Sequence, residues 1–178
     1  MKKNIALILT MMLLAGISTA TAENTEKTRL GTLNVNGAFD LKCRIPDGYG
    51  LDIAQSDTTQ ILAFIESDDE TKPIMTLSIA FDELLSQVDR LNDLDDNALK
   101  AIEATFTAED DVKISYKYTT YGTKLLMAEL QGDYVDFYTI YKGYSIEFLL
   151  SAGVDPITEE QVDMVVSFLS ELDFDSAN

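Results

Sequence analysis

From Val112 to Ala152 the chain reads as four consecutive strands, "VKISYKYTT", "TKLLMAELQ", "YVDFYTIY" and "YSIEFLLSA", parted by turns near Tyr121-Gly122, at Gly132-Asp133 and at Lys142-Gly143. Connections this short join antiparallel neighbours. The second half of the chain is therefore expected to form an antiparallel meander, and the rest must be built around it. If the last two hairpins use two-residue turns, Leu126, Ala128 and Leu130 share a core face with Val135, Phe137, Ile146, Phe148 and Leu150. The other face then holds Leu125, Met127, Glu129, Asp136, Tyr138, Ile140, Glu147 and Leu149, with Glu129 directly across from Asp136 and Glu147 diagonal to it.

Facing carboxylates repel, so something must offset them. Three hard oxygen ligands, Glu129, Asp136 and Glu147, would suit calcium or magnesium. A lysine does so without a metal. A three-residue turn near Tyr121 sends Ile114 and Tyr116 to the core face and sets Lys113 across from Glu129, giving a ladder Lys113, Glu129, Asp136. That turn is the better physics, because the two-residue alternative buries Lys113 and Lys117. No metal or other cofactor is therefore expected.

The first half supplies more strands and two helical segments. Asn36-Gly37 between "TLNV" and "AFDLKCRI" signals a hairpin, since both positions tolerate positive φ. "LDIAQSD" and "TQILAFIES" read as strands, the second apolar on both sides and so expected to be central and covered twice. "PIMTLSIA" follows. Helical spacing then recurs in "FDELLSQVDRL", and again in "NALKAIEATF" with Asp96 as the expected N-cap. The closing helix is marked by a capping box of Thr158 and Gln161, a staple of Ile157 and Val162, and a stripe of Val162, Val165, Val166, Leu169 and Leu172. It is expected to lie on the meander. The whole reads as an α+β fold, a mostly antiparallel sheet with helices on both faces.

The first residues bear on where the chain works. Lys2 and Lys3, the apolar run "IALILTMMLLAGI" and the small residues Ala20-Thr21-Ala22 make residues 1–22 a signal peptide, leaving residues 23–178 as one exported domain, periplasmic or extracellular. With the leader gone, 11 basic residues stand against 31 acidic ones, a net charge of −20. Such a surface disfavours nucleic acid and anionic headgroups. No later apolar run reaches the ~20 residues of a spanning helix. The one cysteine, Cys43, cannot form an internal disulfide; the alternation Phe39, Leu41, Cys43, Ile45 makes it a core residue.

Several chemistries lack their parts. There is no histidine, so the commonest general base and zinc ligand is missing. "GYSIE", Gly143 to Glu147, opens like a nucleophile elbow but ends on Glu147 where that turn needs glycine, so Ser145 reads as a strand residue. In "DLDDNALKAIEA" Asp93, Asp95 and Asn97 stand at calcium-loop positions, but Ala98 and Ala104 occupy those of the required glycine and glutamate. Asp95 and Asp96 instead suit the positive end of the helix that follows.

The order of "FDLKCRIPDGYG", the glycine turn before "TKLLMAEL", the hairpin "YTIYKGYSIEFLLSAG" and the closing "VVSFLSELDF" resembles the PsbP-like superfamily, from Phe39 to Phe174. Tyr49 stands where many relatives place a tryptophan. The resemblance implies an α/β/α sandwich and a non-enzymatic accessory or binding role, and it carries over no functional residue. The expected function is thus that of a non-catalytic exported protein that binds an unidentified protein or small ligand. A hydrolase working through carboxylates and a calcium-dependent surface or adhesion module are the alternatives.

Overall fold

The computed structural model describes residues 28–35, 37–56, 59–107 and 111–170. Residues 1–22, read above as a signal peptide, lie outside them, as do Asn36, Leu172 and the side chain of Cys43. Nine strands and two α-helices follow in order: β1 (Thr28–Val35), β2 (Phe39–Pro46), β3 (Gly50–Ser56), β4 (Gln60–Glu66), β5 (Ile74–Phe81), α1 (Asp96–Phe106), β6 (Lys113–Tyr118), β7 (Lys124–Leu130), β8 (Tyr134–Tyr141), β9 (Tyr144–Ser151) and α2 (Glu159–Ser170). Seven of the strands form one sheet in the order β3-β4-β5-β9-β8-β7-β6, antiparallel at every step, and β1 and β2 form a separate hairpin. The fold is α+β, and no helix of the described residues is long and apolar enough to cross a membrane.

Two cores lie on the two faces of the large sheet. On one, Val135, Phe137, Phe148 and Leu150 pack with Ile61, Ile65, Met75 and Leu77 against Leu33, Val35, Leu41 and Ile45 of the hairpin and Val165 and Leu169 of α2. Phe39 fastens the hairpin through edge-on contacts with Tyr141 and Tyr144, centroids 5.1 and 5.3 Å apart. On the other face Leu126, Ala128 and Ile140 pack with Leu91 and with Leu99 of α1. α2 lies chiefly beside β2 of the hairpin rather than on the meander, which it meets through Lys117 of β6, 3.9 Å from its Asp163. The capping box also forms: Gln161 Oε1 accepts from the Thr158 N–H at 2.8 Å, and Thr158 Oγ1 accepts from the Gln161 N–H at 3.3 Å.

The meander differs from expectation at one turn. Lys142-Gly143 is a two-residue turn with both φ values positive, at 49° and 80°, and it pairs Tyr141 with Tyr144 and Phe137 with Phe148 as counted from the sequence. The three-residue turn near Tyr121 also forms and sets Lys113 across from Glu129. Between β7 and β8, however, the turn has three residues, Gln131 to Asp133, with Gln131 itself at φ 40°. Ala128 therefore faces Asp136, and Glu129 faces Val135. This one-residue slip exchanges the faces of β7 relative to β8. Apolar alternation could not prevent it, because Leu125, Leu126, Met127 and Ala128 are all buried. Both faces of the meander are core.

Other expectations are corrected in the first half. "FDELLSQVDRL" is no α-helix but two 3-10 turns, Glu83–Leu85 and Leu91–Asp93, and Leu84 is left 91% exposed. Asp82 caps the first by accepting from the Leu84 N–H. β4 is not covered twice: Ile61, Ala63 and Ile65 are buried, but Leu62 and Phe64 only half so. The N-cap of α1 is Asp95 rather than Asp96, with Oδ1 accepting from the N–H groups of Asn97 and Ala98 at 3.0 and 2.8 Å. Asp95→Ala is expected to lower stability by about 1 kcal/mol, to be measured by urea unfolding; Asp96→Ala, which removes no cap, should lose distinctly less.

Candidate functional site

The acidic patch expected from the sequence is divided by the slip at Gln131. Glu129 shares its face with Lys113, Val135 and Leu150. Asp136 points to the opposite face, between Ala128 of β7 and Leu149 of β9, so Glu129 cannot join it as a ligand and the ladder through Asp136 does not exist. Among the described residues, no group of three or more histidine, cysteine, aspartate or glutamate side chains is placed to hold a metal ion. Asp93 and Asp95 are engaged otherwise: Asp93 accepts from the Arg90 N–H at 3.0 Å, and Asp95 caps α1. Ser145 donates its hydroxyl hydrogen to the Ala80 carbonyl at 3.2 Å, as a strand residue would.

What remains together is Asp136 and Glu147. Asp136 is 7% exposed in a strand whose neighbours on the same face are Ala128, Leu149 and Tyr138. Burial raises its pKa to about 9, with the charge of Glu147 and a hydrogen bond between the two side chains adding to the shift. At neutral pH Asp136 therefore holds its proton. The acid's second oxygen, Oδ1, is buried and has no hydrogen-bond partner among the described residues. An orphaned acceptor of this kind costs roughly 1–3 kcal/mol.

Tyr138 stands across from Glu147 and packs on Phe106 of α1, ring centroids 5.6 Å apart. Its hydroxyl is pushed up to about 12 by burial first, then by Asp82 and Glu147. Further out, Tyr116 donates to Glu103 of α1 at 2.7 Å. These aromatic contacts close the β6-to-β8 part of the face.

Among the described residues, neither core extends over the rest of that face. In register, Asp136 is followed across the sheet by Leu149, Thr76, Phe64 and Asp52, and Tyr138 by Glu147, Ser78 and Leu62. Leu62, Phe64, Thr76, Ser78 and Leu149 are half-buried, and none of the apolar ones belongs to either core or packs against it. Glu147 is exposed at the boundary, with the buried acid on one side and the apolar, hydroxyl-bearing strip on the other.

Sequence reasoning missed this arrangement because it depends on register. A signal was nonetheless present: "YVDFY" places one carboxylate among residues that each suit a core. Whichever face Asp136 took, it would meet apolar neighbours. No family model matches the chain, and no curated protein or solved structure matches it significantly.

Proposed function

We propose that the chain is an exported, non-catalytic binding or accessory protein, built as an α/β/α sandwich of the PsbP-like kind, whose binding surface is the open half of its large sheet. The observation that carries this reading is the strip of Leu62, Phe64, Thr76, Ser78 and Leu149, half-buried and outside both cores. A sheet face with apolar side chains and interspersed hydroxyl groups offers contact area with a few polar anchors, the usual make-up of a ligand surface. The leader-like first 22 residues and the net charge of −20 on the remainder support export and a partner that is not an anion.

The carboxyl pair favours binding over hydrolysis. A glycosidase keeps its two carboxyl groups roughly 5–9.5 Å apart, with the bond to be cut between them. Asp136 and Glu147 are hydrogen-bonded to each other instead, and the first is buried.

Amide and methyl chemical-shift mapping against a mixed library of small fragments tests the assignment. Perturbations are expected to concentrate on β4, β5 and β9 at Leu62, Phe64, Thr76, Ser78 and Leu149. Perturbations confined to the hairpin side of the sheet, or none at all, would remove the basis of the proposal.

A further inference from the structure

We infer that the uncovered half of the large sheet seats an amphipathic helix of a partner protein, one whose apolar stripe is flanked by lysine or arginine. This deepens the reading above and rests on it. The first ground is the sequence of β4. "QILAFIE" is apolar at consecutive positions, as strands covered on both faces are, whereas a strand with one wet face alternates. Ile61, Ala63 and Ile65 meet the hairpin-side core, but Leu62 and Phe64 belong to neither core, nor does Leu149 of β9 in the same row as Phe64. Ile74 of β5 shares their face, since its neighbour Met75 lies in the core on the other side, and it is 47% exposed. α1 and the 3-10 turns cover the β6-to-β8 half of this face, so among the described residues the helical layer on this side is half built.

The dimensions fit a single helix. β3, β4, β5 and β9 stand side by side, so the strip is ~14 Å wide, against ~10–12 Å for a helix with its side chains. β4 runs 7 residues, ~23 Å, the length of ~15 helical residues. Charge then names the partner. Asp52, Glu66 and Glu147 stand exposed on this face, and no lysine or arginine occupies a position facing the same way on these four strands. Asp52 and Glu66 border the apolar strip on its outer side and Glu147 on the side of α1, which matches a helix with basic residues on both flanks of its stripe. A second copy would set the same carboxylates against one another, on a chain with 31 acidic residues to 13 basic. Nor does this chain supply the helix. Residues 171–178, "ELDFDSAN", hold acids and no base, and they follow α2, whose Val165 and Leu169 lie on the hairpin side. Residues 23–27, "ENTEK", hold no apolar side chain, and residues 1–22 carry Lys2 and Lys3 at one end of a run apolar on all sides, which presents no flanked stripe.

In the complex, stripe residues at i, i+3, i+4 and i+7 of the helix cover Leu62, Phe64, Ile74 and Leu149, and Thr76 and Ser78 between them meet its polar margin. The apolar contact sets how tightly the helix is held. The three carboxylates set its orientation and rate of arrival, so salt weakens the complex without abolishing it.

The test uses three synthetic peptides of about 15 residues. The first has a leucine stripe flanked by lysines, the second has glutamate in place of lysine, and the third is a scramble of the first that keeps its charge but has no stripe. Binding is measured by fluorescence anisotropy and located by amide and methyl chemical-shift mapping. The lysine peptide is expected to bind at least about tenfold more tightly than either control and to perturb Leu62, Phe64, Ile74 and Leu149. Asp52→Lys with Glu66→Lys, both exposed, should weaken it about tenfold, and Phe64→Ser at least as much. Glu159→Lys with Glu160→Lys, the same charge change on exposed residues of α2, should alter it less than about twofold. Equal binding of the scramble, or equal loss in the two double variants, would show mere attraction of opposite charges and overturn the helix assignment. Self-association that Phe64→Ser abolishes would give the face to a second copy and overturn it as well. If no peptide binds while small fragments still perturb β4, β5 and β9, the helix is wrong and the binding surface stands. Fragments confined to the hairpin side would remove both.

Discussion

Raising the pH from 5 to 9 is expected to destabilise the native protein, and Asp136→Asn is expected to remove most of that loss. The folded-state pKa of Asp136 lies far above its ordinary value of 3.8, chiefly through burial. Between the two values the native state holds a proton that the unfolded chain releases. Stability from this group is therefore full below the unfolded value and falls as pH rises towards the folded one, by at most ~1.4 kcal/mol per pH unit for one proton. Asparagine keeps the shape, stays neutral and can still donate to Glu147. At pH 9 the variant is expected to be the more stable protein by roughly 2 kcal/mol or more. Thermal melts of both proteins at pH 5, 7 and 9 measure this. Self-repulsion of the acidic surface acts on parent and variant alike, so parallel curves for the two would show that Asp136 is not the titrating group.

Gly143→Ala is expected to cost about 3 kcal/mol, of which ~1–2 kcal/mol is the left-handed backbone and the rest a collision. Gly143 has φ 80°, and a Cβ there would lie 3.0 Å from Ser86 Cα and 3.2 Å from Phe81 Cε2. The collision cannot be relieved cheaply, because the turn is clasped by backbone bonds: Lys142 and Gly143 donate to the carbonyls of Asp89 and Val88, and Gly143 accepts from the Asp82 N–H. Gly122, at φ 79° with nothing within 4 Å of the same position, is the control. Gly122→Ala should lose only the ~1–2 kcal/mol of backbone strain. Equal losses in the two variants, measured by urea unfolding, would mean that the clasp yields.

The places where the sequence could and could not be read have physical causes. Lys142-Gly143 was legible because a two-residue hairpin turn needs positive φ at both positions and the flanking tyrosines leave no alternative pairing. Gln131 was not, because a glutamine at positive φ carries no local signal and Gly132-Asp133 alone satisfies a shorter turn. That single residue decided where Asp136 and Glu129 went. The 3-10 turns in "FDELLSQVDRL" escaped for a related reason. Helical spacing of Phe81, Leu84 and Leu85 was present, but Phe81 ends β5 and Asp82 starts a fresh cap, so tertiary pairing consumed the first turn of the pattern. Strand identities, the antiparallel order of the meander and the capping box of α2 rest on local chemistry and were readable throughout. The open half of the sheet was not, because two-sided apolarity in "QILAFIE" looks the same whether the second face meets a helix or a ligand.

The position of β9 between β5 and β8 governs how the chain can assemble. The strand that joins the two halves of the large sheet ends at Ser151, and only α2 follows it among the described elements. As the chain is synthesised, β3-β4-β5 and β6-β7-β8 can each zip up locally, but each leaves a bare edge until β9 arrives to fill both. Closure is thus a late, long-range step, the kind that slows folding and leaves pairing edges exposed in the meantime. A chain truncated before Tyr144 would not be a smaller version of this protein. It would be two unfinished sheets, each presenting the other's missing partner and prone to pair with a neighbouring molecule instead.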